Sequence, residues 1–534
     1  MTARHAGHTG RLATTRKATG VLPRALISSS GKAMLVVLGV AMALALAPVL
    51  ITTIPPLADY PNHLARMHVI AARGADPDLS RYYEIHWQII PNLIMDMVIP
   101  LFARVTDIYH AGQAFTVICV LLVATGVLAL NRALFGGWPA IGLAALPLLY
   151  NHIFLVGLMN YWFGVGLALW AMAAWVALRE RPWRLLASAM FAVGLFFSHI
   201  FAVGVYGLAL LAFELWRLWQ RRSVPLGARL VDFATTGLPF LPIIALLLAS
   251  PTWSLAGTNE WSLSAKAVGL YYVISAYADF VDFALAAGLL AVLAWAALLH
   301  ELRVHPAARI LLGLGALVYL AMPNVTHTAY LVDQRLPIAI ILIALAFIRL
   351  QAPSRLAEGG IVLALFFLLA VRIVEVGVNW SALSRQEADV LASTKLITER
   401  GARVLVAQSD DTSDIDALDY GLAHAGCLAI IERSALVADT FVFAGKQIMS
   451  VRQAYRRLAE STDTELPSVE ELSDDSVGGT ASDDPPYWRQ WHDKFDYVYV
   501  MYTADDFSNP APDVLTLVYT GNRFRLYKVR KPAS

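Results

Sequence analysis

The hydrophobic residues of this chain are gathered into long runs that short polar segments separate. Each run is close to the roughly 20 residues of helix that cross a hydrocarbon layer of about 30 Å. We expect helices because the layer offers no water to exposed backbone groups, and the alternating pattern of a membrane barrel is absent. The pattern therefore predicts a mainly α protein, a polytopic transmembrane helical bundle of about 11–13 spans. The apolar runs lie at 34–54, 88–104, 108–130, 138–157, 160–178, 185–200, 201–219, 230–249, 281–300, 308–322, 336–350 and 358–377.

Composition agrees with a membrane protein and excludes other classes. Hydrophobic residues make up 58% of the 534 residues and charged residues 15%, against roughly 45–50% and 25% in soluble domains. The net charge of +1 gives no electrostatic reason to expect nucleic acid as a partner. The two cysteines, Cys119 and Cys427, fall in a predicted span and in the predicted soluble part, so neither a disulfide framework nor a zinc spacing is present.

The charges between the spans predict the orientation of the bundle. Residues 1–32 carry basic side chains and no acidic one, which favours a cytoplasmic tail ahead of a retained first helix, because the apolar run is long for a signal peptide. Four basic loops, each two spans from the next, are interpreted as cytoplasmic, and the poorly basic loops near 251–264 and 323–333 as outer. The basic loops are 179–184, 217–229, 303–309 and 349–355.

This orientation divides the chain into a membrane module and a soluble domain. Residues 33–377 form the predicted transmembrane module, with a first outer loop at 55–87. To keep the basic loops on one side, one early apolar segment must be re-entrant or partly inserted, and 91–104 is the candidate because it holds Asn92, Asp96 and Pro100. The last span then runs outward and places residues 378–534 outside the membrane.

The pattern of residues 378–534 predicts a soluble extracytoplasmic α/β domain. Helical periodicity at 384–400 precedes short runs typical of strands. The acidic segment 460–486 is rich in Ser, Thr, Asp and Pro, which predicts a mobile insertion. The predicted strands are 403–407, 425–431, 440–443, 496–502 and 524–529.

The first outer loop holds a compact set of ionisable residues. Asp59, His63 and Arg66 are spaced so that a helix projects them from one face. A carboxylate beside the membrane can gain basicity and take a proton, while an imidazole and a guanidinium suit an anionic substrate. The alternative is that Asp59, directly before a helix, only caps its free N–H groups.

Further candidates lie at other predicted outer turns. Arg335 precedes Leu336 and Pro337 at the start of a late span, where it either snorkels to the interface or pairs with a lipid phosphate. His152 and His199 are candidate ligands, although lone histidines at such turns are more often packing residues. Three carboxylates near or within the spans are candidates for a second acid, because charges at membrane depth are costly. They are Asp96, Asp279 and Asp282.

In this order of features the chain resembles the GT-C glycosyltransferases, membrane enzymes that use polyprenyl-phosphate-linked sugars. The resemblance lies in the first-loop acid Asp59, the turn Leu149-Tyr150-Asn151-His152, the turn Ser198-His199, the triplet Arg335-Leu336-Pro337 and a soluble C-terminal domain. It implies that Asp59 acts as general base or binds a metal ion and that Arg335 contacts the lipid-linked phosphate. The chain departs from the commonest pattern, which has two adjacent acids, because Tyr60 follows Asp59.

The leading hypothesis is therefore transfer of a hexosyl or pentosyl group from a polyprenyl-phosphate donor to a cell-envelope glycan or lipid acceptor, outside a bacterial cytoplasmic membrane. Mg or Mn is a candidate cofactor that the resemblance implies, and membrane lipid is a further expected partner. The alternatives are a transporter or flippase, although repeated halves and broken midplane helices are not evident, and a scaffold that binds cell-envelope glycan. The proposed catalytic residues are Asp59 and His63, and the proposed substrate-binding residues are Arg66, Arg335, His152 and His199.

Overall fold

The computed structural model describes residues 29–531 except 73, 138–139, 255–256, 300–301, 327–328, 351–353, 410–418, 460–465 and 474–485. Most of the predicted cytoplasmic tail, residues 1–28, and most of the predicted acidic insertion therefore lie outside the described residues.

Helices dominate the described part of the chain. They are α1 Ser29–Ile51, α2 Tyr60–Ala72, α3 Pro77–Tyr82, α4 Ile94–Phe102, α5 Ile108–Phe135, α6 Gly142–Ala145, α7 His152–Leu155, α8 Met159–Ala177, α9 Arg184–Ser198, α10 Ile200–Gln220, α11 Leu226–Thr235, α12 Leu241–Leu248, α13 Leu263–Tyr271, α14 Asp279–Leu298, α15 Ala307–Ala321, α16 Leu336–Ala346, α17 Arg355–Thr394, α18 Leu428–Arg433, α19 Arg456–Ala459, α20 Val469–Ser473 and α21 Trp491–Lys494.

The strands are short and most lie after residue 400. They are β1 Tyr83–Ile85, β2 Asn259–Glu260, β3 Leu302–Val304, β4 Val325–Thr326, β5 Ile348–Leu350, β6 Arg403–Gln408, β7 Leu436–Val437, β8 Met449–Val451, β9 Tyr497–Met501, β10 Leu515–Gly521 and β11 Phe524–Val529.

The long helices form a multi-pass membrane bundle, as predicted. Within the described residues, six helical segments are long and apolar enough to cross a membrane, and three further apolar helices are shorter. The total of about 11–13 spans remains a prediction. The long segments are Gly31–Ile51, Ile108–Phe135, Ile200–Gln220, Leu226–Leu248, Asp279–Leu298 and Arg355–Thr394.

Two predicted spans contain only short helices in the part of the chain that the structure describes. The apolar run near 138–157 is broken into α6, a 3-10 turn at Leu146–Leu148 and α7, because Pro147 lacks the N–H group that a longer helix needs. Its residues from Ile141 to Phe154 are buried apart from His152, so the run is hydrophobic because it forms core. The candidate re-entrant segment contains α4, whose 9 residues are too few to span the membrane.

Strand pairs join the loops that the charge pattern had grouped together. β3 and β5 lie in two of the basic loops and pair antiparallel. β2 and β4 lie in the two poorly basic loops and also pair antiparallel. Two of the four basic loops are therefore paired with each other, and so are the two poorly basic loops. Both pairings agree with the predicted grouping of the loops.

The C-terminal domain is built on a mixed five-stranded sheet with the order β10-β11-β9-β6-β7. β6 is parallel to β9 and β7, whereas β9, β11 and β10 pair antiparallel. The predictions of strands at 403–407, 496–502 and 524–529 are confirmed. Those at 425–431 and 440–443 are wrong, because the first segment is a 3-10 turn followed by α18 and the second is a loop.

The part of the acidic insertion that the structure describes is packed against the domain. Ser468 bridges to Gln408 at the edge of β6, and Leu472 of α20 is buried. The indole of Trp491 donates a hydrogen bond of 3.1 Å to the carbonyl oxygen of Leu472. Residues 466–473 are therefore not the unstructured stretch that composition predicted, because one apolar side chain is enough to dock a single helical turn.

The C-terminal domain is joined to the first outer loop through its backbone. β1, in that loop, pairs antiparallel with β8 of the domain, with Glu84 opposite Ser450. Thr252, in a predicted outer loop, donates a hydrogen bond of 2.8 Å to the carbonyl oxygen of Gly445. The domain thus lies on the same face of the bundle as the loops predicted to be outer.

Candidate active site

Asp59 sits at the end of a loop that is held against the short helix α7. The backbone N–H groups of Ala58 and Asp59 donate to the carbonyl oxygens of Leu155 and Val156, at 3.1 and 2.9 Å. Gly157 has φ +96°, and a Cβ atom there would lie 3.0 Å from the Asp59 nitrogen. Only glycine fits this close approach, so the turn after α7 fixes the position of Asp59.

The carboxylate of Asp59 faces a histidine of the C-terminal domain. Asp59 Oδ1 lies 3.7 Å from Nε2 of His424, and the opposite ring nitrogen, Nδ1, donates to Asp439 Oδ2 at 2.8 Å. The side chains are 20%, 13% and 4% exposed in the order Asp59, His424, Asp439. Asp59 directly precedes α2, where a cap would lie, but this contact gives its carboxylate a different partner.

The charges of these three side chains are interdependent. Burial raises the pKa of Asp59 to about 6, although the positive charges of His424 and Arg335 act to lower it. Burial alone would lower the pKa of His424, but the Asp439 carboxylate and Asp59 raise it to about 9. At neutral pH His424 is therefore a cation held between two carboxylates.

His63 also lies at this site, one helical turn after Asp59. Its ring meets Phe441 of the C-terminal domain edge to face, with centroids 5.9 Å apart. Burial and the neighbouring Arg66 hold the pKa of His63 well below its usual range, so the ring is neutral. Within the described chain its buried Nδ1 atom has no hydrogen-bond partner. Its catalytic role stays a prediction.

Arg66 is engaged by a carboxylate that the sequence did not pair with it. Its Nε and Nη2 atoms donate to Oδ1 and Oδ2 of Asp96 at 3.0 and 3.3 Å, and both side chains are buried. This two-point pair joins α2 to α4. It favours a structural role for Arg66 over the predicted phosphate contact, and it removes Asp96 as a second catalytic acid.

Arg335 directly precedes α16, and its guanidinium contacts two different partners. Nη2 donates to the carbonyl oxygen of Tyr330 at 2.7 Å, and Nη1 lies 3.1 Å from Nε2 of His199. Tyr161 holds the backbone by donating to the Arg335 carbonyl oxygen at 2.7 Å. The positive charge of Arg335 also acts to lower the pKa of Asp59.

The tautomer of His199 follows from its position before α10. The N–H group of Phe201 donates to Nδ1 of His199 at 3.2 Å, so in the neutral ring the hydrogen is on Nε2. In this tautomer Nε2 of His199 and Nη1 of Arg335 are both donors, so their contact of 3.1 Å is not a hydrogen bond between them. A shared acceptor, such as a phosphate oxygen, would satisfy both.

A lysine of the C-terminal domain lies near the same arginine. Lys446 is partly buried, and burial together with the positive charge of Arg335 lowers its pKa. Its ammonium group lies 5.7 Å from the ring centroid of Phe443. Two cations drawn into one partly buried region favour an anionic ligand there.

His152 is packed among aromatic side chains. Its ring stacks on Tyr272 with centroids 3.6 Å apart, and Nδ1 lies 3.2 Å from the hydroxyl oxygen of Tyr420. These contacts favour a packing role over the predicted substrate contact. The ring helps to hold α7, which in turn holds the Asp59 loop.

The other two candidates for a second carboxylate have structural partners. Asp282 Oδ1 lies 2.8 Å from Nη1 of the fully buried Arg372, which also pairs with Glu375 at 2.6 Å. Asp279 accepts a hydrogen bond from the hydroxyl of Tyr271. The carboxylate that shares a site with Asp59 is instead Asp439, since His424 contacts both. Neither Asp439 nor His424 was predicted from the sequence. Their separation along the chain from Asp59 gave no spacing signal.

The residues around Asp59 do not fit a divalent metal ion. The ring of His424 lies between the carboxylates of Asp59 and Asp439 and occupies the space between them. In the part of the chain that the structure describes, no group of three or more His, Cys, Asp or Glu side chains is arranged to hold a metal.

Comparison with solved structures identifies the fold. The chain matches a crystal structure of ArnT from Cupriavidus metallidurans bound to undecaprenyl phosphate with a TM-score of 0.51, over 94% of this chain and 98% of that chain. The two chains share a fold. Their sequences are 12% identical. ArnT in the apo state matches with the same identity and coverage and a TM-score of 0.49.

The likeness to ArnT confirms the predicted fold, a membrane bundle followed by a C-terminal domain. No family model matches the chain, and no curated protein matches it in sequence. The likeness is therefore one of fold, and the chemistry must come from the site itself.

Proposed function

We propose that this protein transfers a sugar from a polyprenyl-phosphate donor to an acceptor hydroxyl on the extracytoplasmic side of a bacterial cytoplasmic membrane. The observation that carries the proposal is a buried carboxylate, Asp59, whose charge interacts with that of Arg335, together with the adjacent side-chain nitrogen atoms of Arg335 and His199. The fold adds support, because ArnT, which has the same fold, is seen with undecaprenyl phosphate bound.

In the proposed reaction Asp59 is the general base. It takes the proton of the acceptor hydroxyl while the acceptor oxygen bonds to the anomeric carbon of the donor sugar. The bond from that carbon to the phosphate oxygen breaks, and the electron pair leaves with the lipid phosphate. Because the acceptor attacks from the face opposite the leaving group, the anomeric configuration is inverted.

The leaving phosphate requires donors on the far side of the sugar from Asp59. Arg335 Nη1 and His199 Nε2 lie 3.1 Å apart, close enough for one phosphate oxygen to accept from both. The guanidinium is a permanent cation and stabilises the charge that develops on the departing oxygen. The lipid tail of the donor never has to leave the bilayer during this step.

The test is donor turnover by purified protein in nanodiscs with a panel of polyprenyl-phosphate hexoses and pentoses. Asp59→Asn and Arg335→Ala should each lower turnover by at least about 100-fold, because each removes one pole of the reaction. The matched controls are Asp506→Asn and Arg385→Ala, which change the same residue types at exposed positions.

Full turnover by Asp59→Asn would overturn the base assignment. An inactive wild type with every donor, together with uptake of a labelled solute into proteoliposomes, would replace the proposal with transport. Loss in both variants and in neither control would establish the transferase and its two poles.

A further inference from the structure

We propose that His424, which the C-terminal domain brings to the site, is a positioning residue that keeps the Asp59 carboxylate ionised and directed toward the acceptor. This inference rests on the proposed function, and it adds a residue of the C-terminal domain to the proposed active site. It implies that the site is complete only when the C-terminal domain is docked.

The orientation of the His424 ring is fixed from behind. Nδ1 donates to Asp439 Oδ2 at 2.8 Å, which leaves Nε2 directed toward Asp59 Oδ1 at 3.7 Å. That separation is longer than a direct hydrogen bond but close for an ion pair. An acceptor hydroxyl that donates to Asp59 thus meets a carboxylate whose negative charge already has a partner.

The loop that carries Asp439 is held by Asn62 of α2, which comes three residues after Asp59. Nδ2 of Asn62 donates to the carbonyl oxygen of Asp439 at 2.7 Å, and the Phe441 N–H donates to Oδ1 of Asn62 at 3.0 Å. Phe441 also packs edge to face on His424, with centroids 4.8 Å apart. One buried amide therefore ties the loop behind His424 to the helix that begins beside Asp59.

The backbone at His424 is itself in an uncommon conformation. His424 has φ +52°, in the left-handed region that non-glycine residues seldom adopt. It immediately precedes the 3-10 turn Ala425–Cys427. A residue keeps this left-handed conformation only where surrounding contacts hold it, and such residues are often found at functional sites.

The charges that face this pair come from several elements. Asp59 is influenced by the positive charges of His424, Arg335 and Arg66 and by the negative charge of Asp439. His424 is influenced by Asp439 and Asp59. Arg66 is already neutralised by Asp96, so His424 is the largest positive influence on Asp59.

The variant His424→Gln removes that charge and keeps a polar side chain of similar reach. The pKa of Asp59 should then rise, so the acidic limb of the kcat/KM profile should move to higher pH by about one unit, while activity at alkaline pH stays near the wild-type value. His424→Arg, which restores a positive charge, should return the limb toward its wild-type position. A uniform loss at every pH, or an unmoved limb, would overturn the inference.

A readout other than turnover separates this inference from the proposed function. The infrared band of the protonated Asp59 carboxyl, assigned by its disappearance in Asp59→Asn, reports the same ionisation in protein without substrate. A midpoint that moves up in His424→Gln supports the inference even if no donor is turned over, and an unmoved midpoint contradicts it even if transfer is found. Should His424→Gln fail to fold, His424→Asn removes the same charge and should move the midpoint in the same direction.

Discussion

Nδ2 of Asn62, in the first outer loop, donates a buried hydrogen bond of 2.7 Å to the carbonyl oxygen of Asp439 in the C-terminal domain. The same side chain accepts from the N–H group of Phe441 at 3.0 Å. The side chain of Asn62 thus pairs with the backbone of this loop in the way that a neighbouring strand would. It is a polar link between the two parts of the chain that form the candidate site.

Asn62→Ala should therefore destabilise the protein by about 1–3 kcal/mol, because it leaves two buried backbone groups of the loop unpaired. Transfer should also fall, since the loop behind His424 loses its anchor. Thermal unfolding in detergent measures the first effect and turnover the second. Asn522→Ala, at an exposed position, is the control, and equal stability of the two variants would contradict the role of Asn62 in holding the loop.

Gly157→Ala should displace the Asp59 loop. The alanine would carry its Cβ at φ +96° and within 3.0 Å of the Asp59 nitrogen, a backbone strain of roughly 1–3 kcal/mol. We expect turnover to fall by at least about tenfold while the donor lipid still binds. Gly313→Ala is the control, because a Cβ there meets nothing within 4 Å. Unchanged turnover in Gly157→Ala would show that the loop position is not critical.

Stability should depend on the charge of His424. Its pKa is raised from 6.5 to about 9, so its contribution is complete below pH 6.5 and is lost as the pH rises through 9. Wild type should therefore lose more thermal stability than His424→Gln between pH 6.5 and 9. Parallel curves for the two proteins over this range would refute the raised pKa.

Transfer should not need a divalent ion, because His424 fills the place between Asp59 and Asp439. Turnover in EDTA should equal turnover in buffer alone, and added Mg or Mn should leave it unchanged. A loss in EDTA that either metal restores would instead return Asp59 to the metal-binding role that the GT-C resemblance allows.

The buried pair of Arg66 and Asp96 offers a test of whether Arg66 binds phosphate. Asp96→Asn should destabilise the protein by about 3–5 kcal/mol, because it leaves the arginine charge buried and unpaired. Replacing both partners, Arg66→Met with Asp96→Leu, should recover most of that stability. If the double variant folds but no longer binds donor lipid, the structural role of Arg66 is wrong.

The sequence predicted the bundle well because a span must be long and apolar, and both properties are visible along the chain. The resemblance to GT-C enzymes assigned Asp59 as base and Arg335 as the phosphate contact, and both roles stay predictions. The sequence assigned Arg66 to phosphate because a helix face does not reveal what packs on it, and here Asp96 of α4 does. It missed His424 because the residues after it were interpreted as a strand, and a short apolar run does not separate a strand from a buried helix.

Helix α17 connects the membrane bundle to the C-terminal domain and sets the rotation of the domain about the helix axis. It runs without a break for 40 residues, about 60 Å, through the predicted boundary between the membrane module and the soluble domain, and its far end binds the sheet through Asp389 to Tyr519 and Ser393 to Tyr499. Each residue of a helix adds a turn of about 100°. One residue inserted between 378 and 388 would swing the domain by that angle and carry His424 away from Asp59. The length of α17 therefore fixes the rotation of the C-terminal domain about the helix axis, and with it the position of His424 relative to Asp59.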